Sequence, residues 1–291
     1  MSSVSAAPAL LHEPSARRRR PSTAAVYRWE LRKLIAQKRT YLGFALGCAI
    51  PLIFVIVENI HQHNGHRDNI FASEISQSGL ATPVLMLLFL SVFMLPLIAA
   101  LVAGDIVANE DGNGTLKTIL TRSVDRGQVF AAKAIAAMTY AATAAFLSAA
   151  VATVAGVASW GFHSIRTFSG TEVAAPKALL LVFAANACYL IPLLTVASIG
   201  VLLSTTTRNS AAAVVGTIGF VILLLIVGQI PGLEGLHPYL LNEQFENWHG
   251  LLRTPTDWAP IGHSAWVCAL YAGPALFAAY LVFLRRDVAG G

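Results

Sequence analysis

The chain is cut into six apolar blocks, each of about twenty residues or more, and a block of that length matches the hydrocarbon thickness of a bilayer. The blocks fall at roughly 41–60, 81–107, 127–157, 177–203, 211–230 and 263–284. With 56% hydrophobic and only 12% charged residues, a chain of 291 residues has more apolar surface than a soluble core can hide. The expected fold class is an all-α integral membrane protein with six transmembrane helices. The second and third blocks exceed the length a bilayer needs, which points to tilted helices or helices that protrude from it. Pro51, Pro96, Pro192 and Pro274 interrupt the blocks, and each ring removes a backbone donor and can kink its helix.

Basic residues set the expected orientation. Nine precede the first span (Arg17, Arg18, Arg19, Arg20, Arg28, Arg32, Lys33, Lys38, Arg39). Lys117, Arg122, Arg126 and Lys133 follow the second, Arg208 the fourth, and Arg285 and Arg286 the sixth. Only Arg67, Arg166, Lys177 and Arg253 fall on the other side, which holds most of the loop acids. Both termini are therefore expected in the cytoplasm, in a multi-pass protein of the plasma membrane. The excess of basic charge, with a pI of about 9.3, lies beside the membrane, where anionic lipid headgroups account for it without nucleic acid. Residues 1–24 are expected to form a disordered basic tail with no removable signal peptide, and 285–291 a short cytoplasmic tail. Over 25–40, Tyr27, Leu31, Leu34 and Ile35 recur at helical spacing beside basic flanks, the pattern of an interfacial amphipathic helix.

The most polar stretch between the spans is EDGNGTLKTILTRSVDRGQVFAAK, Glu110 to Lys133. Two glycines before a Lys-Thr pair suggest a phosphate-binding loop. That loop requires glycine directly before the lysine, four residues between this glycine and the first one, and a strand leading into it. Here Leu116 precedes Lys117 and a membrane span precedes the loop, so no ATP site is expected in this chain. The residues favour a short amphipathic helix instead. Asn113 or Thr115 can cap it, Glu110 and Asp111 suit its positive end, and Leu116, Ile119 and Leu120 share one face. Two surfaces can take that face: a groove on a partner, or the membrane bundle itself.

The same stretch resembles the cytoplasmic loop of type-2 ABC exporter permeases. The matching positions are Glu110, Gly114, Thr115, Leu116, Leu120, Thr121, Arg122, Arg126, Gly127 and Lys133, with Ser123 where the family usually has proline. The six blocks, the basic "ELRKL" helix and the "RRDV" ending, Arg285 to Val288, agree with it. The resemblance implies a permease subunit without an ATPase site of its own. It would pair with a cytoplasmic ABC ATPase that binds ATP and Mg, and with a second permease copy. The short helix would be the coupling helix, with Leu116, Ile119 and Leu120 as its apolar contact. Glu110, Lys117, Arg122 and Arg126 would form its rim, and Gly114 and Thr115 its lead-in.

Other features carry less. His61, His63, His66 and Asp68 cluster in the first external loop, but without rigid spacing or cysteine they read as a solvated loop rather than a metal site. Cys48, Cys188 and Cys268 are dispersed in apolar blocks, which argues against disulfides. The segment from Pro231 to Gly262, with Tyr239, Phe245, Trp248 and Trp258, reads as short helices at the outer interface. Within the spans, Asn186 and Thr195 are the main polar residues and weak candidates for a substrate path. No buried ionisable pair is expected, and Asp105 and Glu58 are placed where water reaches them. These features favour export of a lipophilic small molecule over an ion-coupled carrier or a membrane-embedded enzyme.

Overall fold

The protein is described from a computed structural model that covers residues 22–63, 77–90, 93–115, 125–167 and 169–285. Helix α1 spans Thr23–Ile35 and α2 spans Lys38–His63, so two residues separate what would otherwise be one long helix. Then come α3 (Ala81–Leu90), α4 (Met94–Ala103), the short α5 (Ala108–Gly112) and the long α6 (Arg126–Trp160). A two-stranded antiparallel hairpin, Ile165–Arg166 with Glu172–Val173, leads to α7 (Ala175–Thr207) and α8 (Ser210–Val227). Two 3₁₀ helices, Glu234–Tyr239 and Glu243–Leu252, precede α9 (Ala259–Arg285).

Five of these helices, α2, α6, α7, α8 and α9, are long and apolar enough to cross a membrane. The segments 81–89 and 94–112 pass the same test together, bent by 66° at their junction, so the count reaches six if that pair is one span. Leu180, Phe183, Val215, Leu223, Leu270 and Phe277 are all exposed on the bundle surface. Apolar faces of that extent are tolerated in lipid and not in water. The architecture is that of an all-α membrane protein.

Lipid tails are as apolar as leucine, so helix contacts here depend on close approach of small residues and on interhelical hydrogen bonds. Along α2, Thr40, Gly43, Gly47, Pro51, Val55 and Glu58 are buried at steps of three or four, which puts them on one face. That face meets an alanine-rich stripe on α6 running from Ala137 through Ala144 to Gly156. Ser148 Oγ donates to the Gly47 carbonyl at 2.8 Å, and Tyr140 Oη to that of Thr40 at 3.4 Å. Helix α7 runs through the centre, where Tyr189 is fully buried against Phe245 of the second 3₁₀ helix.

Contacts between chain-distant residues fix the up-and-down order. At one end Trp160 Nε1 donates to Gln62 Oε1 at 2.9 Å and Ser78 Oγ to the His163 carbonyl at 2.8 Å. At the other end Arg126 donates to the Leu284 carbonyl at 3.0 Å. Between α7 and α8 the chain reverses within a few residues. Arg208 takes the left-handed conformation (φ 53°) at the end of α7, and Asn209 Oδ1 accepts from Ala212 N to start α8.

The tightest crossing lies at the start of α3, where Gly79 and Gly156 place their backbones in contact. A Cβ on either glycine would collide with the other's carbonyl oxygen, and one on Gly156 would also strike Thr82. Gly156→Ala is therefore expected to destabilise by about 1–3 kcal/mol, as overpacking of a filled site does. Gly219→Ala on α8, where a Cβ meets nothing within 4 Å, serves as the control and should leave the melting temperature in detergent unchanged.

Candidate functional site

The site lies where α1, α5 and the first turns of α6 converge. Ser22 caps α1 by accepting from Ala25 N, and the helix buries Val26, Glu30 and Leu34, a stripe at steps of four. This stripe corrects the sequence-based face: Ile35 is 60% exposed, and a carboxylate occupies the middle of the buried row. Tyr27 Oη and Thr139 Oγ1 lie 2.9 Å apart, so α1 packs along α6. Thr40 Oγ1 closes the far end of α1 by donating to the Leu34 carbonyl at 2.6 Å.

Helix α5 begins against α7. The Val107 and Ala108 N–H groups both donate to Ser204 Oγ, at 3.1 and 3.0 Å, so another helix's hydroxyl satisfies donors that a helix start leaves open. Asn113 ends α5, its N–H reaching the Asn109 carbonyl, and Gly114 follows with φ 68°. Asp125 caps α6 by accepting from Gln128 N.

These elements bring four charges together. Lys133, fully buried two turns into α6, has its ammonium 2.6 Å from Glu110 Oε2 and 3.2 Å from Glu30. It also donates to the Ile106 carbonyl at 3.3 Å. Lys33 pairs with Glu30 at 2.9 Å and with Glu110, and its ammonium lies 4.0 Å from the centroid of the Trp29 ring. Two carboxylates thus face two ammonium groups, and the cluster is neutral. Burial alone would lower the Lys33 pKa, but Glu110 and Glu30 outweigh it and raise the pKa above the ordinary 10.5. A raised lysine pKa gives stability that is complete below the unfolded value and fades only as pH climbs past the folded one. From Lys33 the cluster therefore shows no change across the neutral range.

A second pair lies beside the first. Asp105, 3% exposed, is held by the Arg39 guanidinium and by Ser210 Oγ, joining the start of α2, the end of α4 and the start of α8. Two sequence expectations are corrected here. Buried ionisable pairs are present, and Asp105 is sheltered from water. Glu58 is also buried, at 9% exposure, and accepts from Gln62 Nε2 at 3.2 Å.

The sequence-predicted residues divide accordingly. Glu110, expected on a rim, points into the cluster. Arg126 is half-buried and donates to the last helix at Leu284. Gly114 and Thr115 are exposed, with Thr115 Oγ1 donating to the Glu110 carbonyl at 3.2 Å. Asn113 closes α5. Leu116, Lys117, Ile119, Leu120 and Arg122 lie outside the described residues, as do His66, Asp68 and the basic tail. Among the described residues no group of His, Cys, Asp and Glu is placed to hold a metal ion. Asn186 and Thr195 are buried in α7 and donate to the carbonyls one turn back, Val182 at 2.9 Å and Ile191 at 3.0 Å.

A family model described as a protein of unknown function (DUF2705) matches residues 51–289. The chain belongs to this family. The matched region holds Asp105, Glu110, Lys133 and Ser210, while Glu30, Lys33 and Arg39 precede it. No curated protein matches the chain.

Lys133→Met leaves the buried Glu30 and the half-buried Glu110 facing Lys33 alone and is expected to destabilise by about 3–5 kcal/mol. The double variant Glu30→Gln/Lys133→Met should lose less than the sum of the single changes, because the uncompensated charge is gone. Arg166→Ala, which breaks an exposed pair with Glu172, should cost less than about 1 kcal/mol. Apparent melting temperatures of the purified chain in one detergent compare all of these.

Proposed function

We propose that this chain is the membrane-spanning permease subunit of an ATP-binding-cassette exporter. It would cross the plasma membrane six times with both termini in the cytoplasm, the 81–112 segment supplying the second span. A separate cytoplasmic ATPase binds ATP and Mg, and a second permease copy completes the membrane unit. The cargo class that suits the apolar helices is a lipophilic small molecule.

The observation that carries this reading is the four-charge cluster that ties α5 to α6, the two helices flanking residues 116–124 in the chain. Glu110 lies in α5 and Lys133 two turns into α6, and the two are ion-paired with each other and with α1. A push or tilt applied to the loop by a docked ATPase would therefore reach α5, α6 and α1 as one unit. The loop's motif, from Gly114 to Arg126, supplies the docking chemistry: an apolar Leu116, Ile119, Leu120 face with Lys117 and Arg122 at its margin.

Buried ion pairs bring the ion-coupled carrier back into consideration, since such carriers place charge within their spans. Two features weigh against it. The four charges neutralise one another, and they gather where α1 and α5 meet the first turns of α6, whereas coupling-ion sites lie near the bilayer midplane.

Leu116→Asp tests the proposal. In the reconstituted complex it should leave ATP hydrolysis by the partner in place and abolish export, with the variant still folded. Full transport by this variant would overturn the coupling role.

A further inference from the structure

Two of the long helices carry a proline that interrupts their hydrogen-bond ladder. Proline has no N–H, so the carbonyl four residues earlier loses its helical donor. Pro51 in α2 does this to Gly47, and Pro192 in α7 does it to Cys188. An unpaired carbonyl in apolar surroundings is costly, and a neighbouring side chain can replace the missing donor. Both gaps are filled in this way. Ser148 Oγ of α6 donates to the Gly47 carbonyl at 2.8 Å, and Asn247 Nδ2 donates to the Cys188 carbonyl at 3.2 Å.

The two donors differ in what carries them. Ser148 belongs to a membrane-spanning helix of 35 residues and cannot leave its acceptor unless that helix moves. Asn247 belongs to the second 3₁₀ helix, a run of ten residues. Such runs rarely exceed three or four residues because their hydrogen bonds are poorly aligned, so this one depends on what it packs against. Phe245, Trp248, Leu251 and Leu252 are its buried side, with Phe245 5.2 Å from the Tyr189 ring of α7. Glu243 and Glu246 are its exposed side. Gln244 Nε2 donates to the Pro238 and Leu240 carbonyls at 2.8 and 3.0 Å, which ties the segment to itself and not to the bundle.

Asn247 also reaches a third element. Its Nδ2 donates to Ser264 Oγ of α9 at 2.9 Å, so one amide bridges α7 and α9. One turn further along α9, Cys268 Sγ lies 3.9 Å from Ser264 Oγ and is closed off from solvent, at 3% exposure.

We propose that the second 3₁₀ helix is a strap latched to α7 by Asn247, and that its release opens the seam between α7 and α9 to water. The latch is specific because Asn247 supplies the amide that Pro192 lacks. On release the Cys188 carbonyl needs another donor, which water entering the seam provides, and α7 bends most easily at the turn where its ladder is one bond short. The strap uses no residue of the charge cluster, so it stands whether or not the chain is an exporter subunit.

The rate at which a water-soluble maleimide labels Cys268 tests the strap, in the detergent-purified full chain carrying Cys48→Ala and Cys188→Ala. Asn247→Leu removes the donor, whereas Pro192→Ala returns an N–H to the Cys188 carbonyl and leaves the strap untouched. Each should speed labelling by about tenfold, the worth of one buried hydrogen bond. The double variant should be no faster than the faster single one, because both undo the same contact. Ser148→Ala, which empties the equivalent gap at Pro51, should leave the rate unchanged and so separates latch release from general loosening of the bundle. Pro192→Ala decides alone if Asn247→Leu fails to fold. An unchanged rate in Pro192→Ala or in a folded Asn247→Leu, multiplying effects in the double variant, or equal acceleration by Ser148→Ala would each overturn the proposal.

Discussion

A lysine with no accessible surface, Lys133, is the point on which one end of this bundle depends. An ammonium removed from water is tolerated only if it is paired and hydrogen-bonded. Lys133 meets that requirement with Glu110 and Glu30, and a backbone carbonyl takes a further proton. The two carboxylates come from different parts of the chain. Satisfying one charge therefore determines where α1 lies, how α5 is aimed and which face of α6 is turned inward.

Buried ion pairs contribute little net stability compared with apolar packing, because desolvation offsets much of their attraction. Their value here is geometric. Apolar contacts in a membrane are non-directional, and stripes of alanine and glycine such as those on α2 and α6 can slide past one another. A neutral set of four charges admits one arrangement, and the Arg39, Asp105 and Ser210 group repeats the device across α2, α4 and α8. Helices α5 and α6, which flank residues 116–124 in the chain, are both tied to this frame. In the proposed permease that tie would carry a push on the intervening segment to the helices.

The long helices were legible in the sequence because lipid leaves an unambiguous mark: continuous apolar blocks bounded by polar residues. The block at 81–107 was legible as hydrophobic but not as broken, since its apolar character runs on through the bend that separates α3 from α4. The charge cluster was hidden for a different reason. Its members are far apart in the chain, with Lys133 and Glu30 separated by 103 positions and Lys33 and Glu110 by 77. A local signal existed nonetheless. Glu30 sits midway between Val26 and Leu34 at steps of four, and Lys133 stands two turns inside a helix whose other charged residue is Arg126 at its first position. Each is a charge on an apolar stripe, and such a charge calls for a partner.

The central claim is that this chain is moved by another. Purifying the tagged chain from its native membrane in mild detergent, and measuring the composition and ATPase activity of what elutes, addresses it most directly. The account predicts a near-equimolar partner that carries a phosphate-binding loop and hydrolyses ATP. A chain that elutes alone and, once reconstituted, transports in response to a proton gradient would contradict it.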